Sequence, residues 1–149
     1  MREITGPADR DACFAVRREV FVEEQGVPAD EEFDAYDETA TQLLAVRADG
    51  LPLGTGRLLY GADATGKTGA DASVGSLGRL AVSRAARGLG VGAALVRAIE
   101  ETARARGLTA VDLHAQTRAL GFYERLGYVA YGPEFPDAGI PHRAMRRAL

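Results

Sequence analysis

The chain is expected to fold as an α/β domain whose central sheet is mixed, mostly antiparallel and flanked by helices. Three features carry this. Gln42 to Ala48 and Leu53 to Tyr60 are β-prone runs separated by Asp49-Gly50-Leu51-Pro52, and Asp-Gly between such runs signals a hairpin. Leu77 to Val82 reads as a strand, followed by a glycine loop, an amphipathic helix and a second strand from Thr109 to Ala115, the order of a right-handed parallel crossover. The 149 residues, with Cys13 the only cysteine, are predicted to make one domain over residues 1–149, large enough to bury a core without disulfides or metals.

Each element follows from local pattern. Ile4-Thr5, ahead of Pro7, fits a short first strand, and Ala12, Cys13, Val16 and Val20 then recur at helical spacing until Gly26 ends the first helix. Cys13 sits among Ala12, Phe14 and Val16 and reads as a packing residue rather than a nucleophile. Residues 61–76 are rich in Gly, Ala, Asp and Ser without an apolar period and read as a mobile loop or a wide hairpin tip. The helix after the glycine loop places Val91, Leu95, Ala98, Ile99 and Thr102 on one face and stops at Gly107. In the next strand Val111 and Leu113 alternate with Asp112 and His114, which therefore face the other side of the sheet. A helix from Thr117 to Leu126 closes at Gly127, and Tyr128 to Tyr131 and Arg143 to Arg147 add two last strands.

Charge is unevenly placed. Residues 19–38 carry Glu19, Glu23, Glu24, Asp30, Glu31, Glu32, Asp34, Asp37 and Glu38 without a lysine or arginine. That block argues against nucleic acid as a partner and permits attraction of a cation, while a solvated loop face accounts for it equally. Arg57 and Arg79 lie in otherwise apolar strands, are costly to bury alone, and are expected to meet carboxylates of this acidic segment. No apolar run approaches the roughly 20 residues of a bilayer span, and Glu3 and Asp9 stand where a secretory signal would be basic and then apolar, so no membrane association and a cytoplasmic location are expected. His114 and His142 are the only histidines, so no sequence-local metal site is expected.

The most informative stretch runs from Arg79 to Leu95, an apolar strand, a glycine loop and a helix start in succession, with Gly88, Gly90 and Gly92 in the loop. Alternate glycines let the backbone turn its N–H groups toward one point, and the following helix adds the positive end of its dipole, so a phosphate or pyrophosphate can be held with little side-chain help. A competing match lies upstream, where Gly61-Ala62-Asp63-Ala64-Thr65-Gly66-Lys67-Thr68 fits the Gly-x-x-x-x-Gly-Lys-Thr phosphate loop. That mechanism needs a helix starting at the lysine, and the residues after Thr68 cannot form an amphipathic one. A nucleotide-binding protein acting through residues 61–68, with Asp112 in the magnesium-holding role, is therefore kept only as an alternative.

The strand, loop and helix from Leu77 to Leu95 resemble the acetyl-CoA-binding motif of the GNAT N-acetyltransferase superfamily, Arg/Gln-x-x-Gly-x-Gly/Ala. The segment from Gln116 through Ala119, Phe122-Tyr123 and Gly127-Tyr128 is similar to that family's later motif, with Gln116 in the usual asparagine position. Arg18-Glu19-Val20-Phe21-Val22-Glu23-Glu24-Gln25-Gly26-Val27-Pro28, Asp34, Asp37 and Gly139-Ile140-Pro141-His142 are similar to the ElaA-like branch. Acyl-homoserine-lactone synthases share the fold and an Arg-x-x-Val-Phe-like start.

The resemblance implies a V-shaped opening in the sheet and acetyl transfer from acetyl-CoA to a primary amine, by a monomer or homodimer. It implies that Leu80, Ala81 and Val82 line the pantetheine arm, Val82 among them supplying the backbone donor for the oxyanion. Arg87, Gly88, Leu89, Gly90, Val91, Gly92 and Ala93 would hold the pyrophosphate, with Gln116 and Phe122 beside the cofactor. Tyr123 takes the position of the acid that protonates the leaving thiolate; a phenol near pKa 10 is closely matched to a thiol near about 8.5, although a core aromatic is the other reading of that position. The acceptor site or base is to be sought among Glu24, Gln25, Asp34, Asp37, His114 and His142, with Glu24 and His142 favoured for the acceptor. A non-catalytic acyl-CoA-binding or regulatory module is the alternative of a different class.

Overall fold

The computed structural model describes residues 1–68 and 71–149. Its strands β1 (Arg2–Glu3), β2 (Thr41–Val46), β3 (Pro52–Leu59), β4 (Val74–Val82), β5 (Ala110–Gln116), β6 (Val129–Asp137) and β7 (Ile140–Ala148) form one seven-stranded sheet in the order β1-β2-β3-β4-β5-β7-β6. Every neighbouring pair is antiparallel except β4 with β5, as the mixed pattern predicted. Asp49 and Gly50 lie in the turn between β2 and β3, with Gly50 at φ +90°. The first strand falls at Arg2–Glu3 rather than Ile4-Thr5, although the Ile4 N–H still donates to Gln42 O at 2.9 Å. The last strands are longer than their apolar cores suggested, because polar edge residues extend the β6–β7 ladder to Asp137↔Ile140.

Helix α1 (Pro7–Arg17) starts with proline at its first turn, where no N–H is needed. It widens into a π-helix over Arg18–Glu24, closed by the Gln25 N–H on Val20 O at 3.2 Å and by Gly26 at φ +74°. Helix α2 (Ala29–Glu32) and a 3-10 turn over Ala35–Glu38 follow. Asp34 caps that turn by accepting the Tyr36 N–H, and Asp37 accepts the Asp34 N–H in return.

Within this acidic segment Glu23, Asp30, Glu31 and Glu38 are exposed, while Glu32, Asp34 and Asp37 turn onto arginines. Arg17 is wholly buried and donates Nε to Glu32 at 2.8 Å and Nη1 to Asp37 at 2.7 Å. Arg57 donates to Asp34 at 2.7 Å and Asp37 at 3.1 Å, and Arg79 reaches Glu32 and Asp34, each at 3.2 Å. The pairing expected for Arg57 and Arg79 is present, with Arg17 as an unforeseen third cation.

Residues 61–68 are more ordered than a loop, forming a 3-10 turn over Gly61–Asp63 and a single helical turn, α3 (Thr65–Thr68). Gly69 and Ala70 of that stretch lie outside the described residues. The Lys67 N–H donates to Ala64 O at 2.9 Å and the Thr68 hydroxyl to the same carbonyl at 3.1 Å. The loop thus turns these groups inward and has no helix long enough to present a dipole, which removes the phosphate-loop reading.

Helix α4 (Val91–Ala105) crosses from β4 to β5 and covers the sheet. Its buried arc is Leu95, Val96, Ile99 and Ala103, shifted from the expected face so that Val96 replaces Thr102 at its centre. Glycines in β3 let the helix close in: a Cβ on Gly56 would stand 2.6 Å from Ile99 Cδ1. Glu100 shares that arc, buried but bonded to the Tyr128 hydroxyl at 2.8 Å. Cys13 is fully buried and burial pushes its thiol up, as suits a packing residue. A 3-10 turn over Thr117–Ala119 precedes α5 (Leu120–Arg125), where a continuous helix was predicted.

Candidate active site

The parallel β4–β5 ladder runs from Val74↔Ala110 to Leu77↔Leu113 and stops. Beyond it β4 stays with β3 through Thr55↔Ala81 and Gly54↔Val82, while β5 stays with β7 through His114↔Ala144 and Gln116↔His142. The two strands part, and a cleft of about 780 Å³ opens between them. Because the Ser83 N–H donates to Leu53 O at 2.8 Å, alternation turns the backbone of Leu80 and Val82 toward the opened edge, while Ala81 faces β3.

The glycine loop sits at the end of this opening. Gly88 and Gly90 have φ +81° and +79°, in the left-handed region that glycine adopts without strain. The first helical bond of α4 is the Ala94 N–H to Gly90 O at 3.1 Å, so the N–H groups of Val91, Gly92 and Ala93 have no partner inside the helix. No atom lies within 4 Å of a Cβ built on Gly88 or Gly90, so the nest is open to an anion. At Gly92 such a Cβ would meet Phe122 at 3.3 Å, which draws the helix start against α5. Leu89 is 72% exposed and is not part of the cleft lining, so only its backbone is available to the nest.

Arg87 stands beside the nest with Nε on Val82 O at 3.2 Å and its Nη atoms on the Glu24 carboxylate at 2.9 and 2.7 Å. That Arg87 contact holds the Glu24 carboxyl below its usual range. The π-helix is docked by Glu19, which accepts from the Ser83 hydroxyl at 3.0 Å and the Arg84 N–H at 2.8 Å. Nothing local in the sequence marks Glu19 for this role, because its partners are more than sixty residues away.

Tyr123 is buried at 8% exposure, lines the cleft, and packs edge to face on Phe122 with ring centres 4.9 Å apart. Burial pushes its hydroxyl well above the ordinary phenol range, so it stays protonated. Across the cleft Gln116 Nε2 donates to Gln25 Oε1 at 2.8 Å, and Arg118 Nε donates to Gln116 Oε1 at 3.0 Å. His114 and His142 both reach the cleft, with Phe135 between them at 5.1 Å from the His114 ring and 6.0 Å from the His142 ring. The His114 pKa is lowered, chiefly by burial, which outweighs the Asp112 carboxylate 3.9 Å away.

Asp34 and Asp37 require correction as acceptor-side candidates. They stand behind the wall rather than on it, since the buried Arg17 and Arg57 guanidiniums need their charge. Lys67, Arg79 and Asp137 line the cleft instead. Lys67 belonged in the sequence to the phosphate-loop match, and no pattern there singled out Asp137. Among the described residues no group of histidine, cysteine and carboxylate side chains is placed to hold a metal ion, and no helix is long and apolar enough to cross a membrane.

A sheet opened beside a glycine-lined helix start is the architecture of an acyl-CoA-using transferase. Residues 10–149 match the acetyltransferase (GNAT) domain model, and the chain belongs to that family of enzymes. It is 37% identical over 150 residues to a Bacillus subtilis strain 168 protein described as an acetyltransferase, covering 99% of this chain and 95% of the relative. A crystal structure of an N-acetyltransferase from Lactobacillus plantarum superposes with a TM-score of 0.85 at 36% identity, covering 97% of this chain and 93% of that one. Escherichia coli ElaA superposes with a TM-score of 0.81 at 27% identity, covering 96% and 92%.

Proposed function

We propose that the protein transfers an acetyl group from acetyl-CoA directly to a primary amine. One observation carries this reading: the strands part beside the open glycine nest, in a cleft that Tyr123, kept protonated by burial, also lines. In it Gly88 to Ala93 and Arg87 grip the pyrophosphate, Arg87 exchanging Glu24 for phosphate oxygens. The freed backbone of Leu80 and Val82 aligns the pantetheine arm, with Gln116 and Phe122 alongside. Bound acetyl-CoA supplies an activated acyl carbon and a thiolate leaving group.

The residues then divide the proton work. His114, neutral because burial lowers its pKa, takes a proton from the incoming ammonium directly or through water. Asp112 is fully buried with Oδ1 unpartnered and faces the His114 ring, so its charge steadies the imidazolium formed. As the amine nitrogen bonds to the acyl carbon, the Val82 N–H stabilises the charge developing on the acyl oxygen, a contribution of about 3 to 4 kcal/mol for such donors. The C–S bond breaks, Tyr123 protonates the sulfur, and the second amine proton restores the phenol.

The test is Tyr123→Phe, with CoA release followed over a panel of amines. Turnover should fall about 10-fold or more with acetyl-CoA affinity nearly unchanged, and undiminished turnover would remove Tyr123 as the acid.

A further inference from the structure

At the end of the cleft away from the glycine nest, three arginines and three carboxylates cancel one another. Arg17, Arg57 and Arg79 are each bound by two members of the set Glu32, Asp34 and Asp37. Lys67 stands in front of this wall as an added positive charge. It lines the cleft beside Arg57 and Arg79, and among the described residues its ammonium has no hydrogen-bond or ion-pair partner. A second group there is also unsatisfied, since Arg57 is 1% exposed, lines the cleft, and has its Nε buried without an acceptor. The carboxylate of Asp137, exposed at the β6–β7 turn, shares this end of the cleft and forms no ion pair with Lys67.

We propose that the amine acceptor also carries a carboxylate, and that Lys67, backed by Arg57 and Arg79, is the residue that selects it. The inference rests on the acetyltransferase reading and deepens it by naming the acceptor's class. A half-buried ammonium facing two guanidiniums is an unfavourable arrangement that a bound anion relieves. The surroundings of Lys67 act in that direction, because burial first, then Arg79 and Arg57, lower its pKa despite Asp137 and Asp34. The one ammonium of Lys67, without a contact partner although the Asp137 carboxylate shares this end of the cleft, matches one carboxylate better than a phosphate, which carries about −1.5 to −2 at neutral pH. The acceptor's own ammonium then lies toward His114 and the thioester, and its carboxylate toward Lys67. A simple monoamine or a diamine would leave Lys67 unpaired or repelled.

The experiment compares glycine, β-alanine and 4-aminobutyrate with methylamine, ethylamine and propylamine, with O-phosphoethanolamine as an added arm. Binding is read by calorimetry on the protein saturated with CoA, and turnover by CoA release from acetyl-CoA. At least one amino acid should bind about 10-fold or more tighter than its decarboxylated partner, equivalent to about 1.4 kcal/mol. Lys67→Met should collapse that preference through KM rather than kcat, and Lys67→Arg should retain it. CoA binding by each variant checks that the cleft is intact. Equal binding of acids and amines, a preference surviving Lys67→Met, or a stronger preference for O-phosphoethanolamine would each overturn the assignment while leaving the transferase reading standing. A wild-type protein that binds no CoA would overturn both.

Discussion

A phenol begins to ionise as pH nears its reference value of about 10, and burial moves Tyr123 above that. Its acid form is therefore present across the working range, and a pH profile of kcat/KM should show no alkaline decline from this group up to about pH 10. His114 moves the other way, its charged form disfavoured chiefly by burial. The neutral imidazole thus persists below the reference value of about 6.5, so with His114 as the proposed base the acidic limb of kcat/KM should fall below that pH. His114→Gln should remove the limb and lower kcat/KM by about 100-fold. The same shift affects stability: with the folded value depressed, protonation of the unfolded chain costs stability as pH drops below about 6.5. The place of Tyr123 in the cleft lining was legible because it belongs to the aromatic pair of a recognisable motif. The setting of His114 was not, since alternation in β5 told which residues it opposed but not that β4 would part to make its side a cleft. Lys67 was masked by a stronger pattern, the phosphate loop, whose geometry the one-turn helix α3 does not provide.

Two elements hold the cleft's walls. The widened end of α1 and the acidic segment are joined to β3 and β4 by Arg17, Arg57 and Arg79. Removing one partner of a buried charge network leaves the others uncompensated, so Arg17→Met should lower unfolding free energy by about 3 to 5 kcal/mol in denaturant titrations. Burial alone would raise the Asp37 carboxyl, but Arg17 and Arg57 outweigh it and hold it below 3.8. Its stabilising contribution is present above the unfolded value and is lost as pH falls through the folded one. The opposite wall depends on α4 lying against β3. With Ile99 Cδ1 2.6 Å from the Cβ that alanine would add at Gly56, Gly56→Ala should cost about 1 to 3 kcal/mol by overpacking. The hairpin, α4 and the acid–arginine pairing could be read from the chain because each is local or a matter of charge balance. The shifted face of α4 could not, as Glu100 is buried by a distant Tyr128 that periodicity does not register.

At the scale of the whole molecule, one sheet frames the whole cleft. The order β4-β5-β7 makes the parallel pair β4–β5, the only one among the described residues, the place where the sheet opens, and the loop between β4 and α4 puts a helix dipole at the mouth. The glycines and the later aromatic pair made the part of the cleft proposed for acyl-CoA readable from the sequence, while residues 24, 57, 67, 79, 114, 137 and 142 of its lining are too scattered to form a motif. The most direct test is calorimetry of acetyl-CoA binding to the wild-type protein and to Gly90→Glu, with melting curves to check that both are folded. Wild type should bind with a defined stoichiometry. Gly90→Glu should lose about 100-fold or more in affinity, because its carboxylate occupies the nest. Absence of binding by wild type, or equal binding by a folded Gly90→Glu, would contradict the assignment of this cleft to acetyl-CoA.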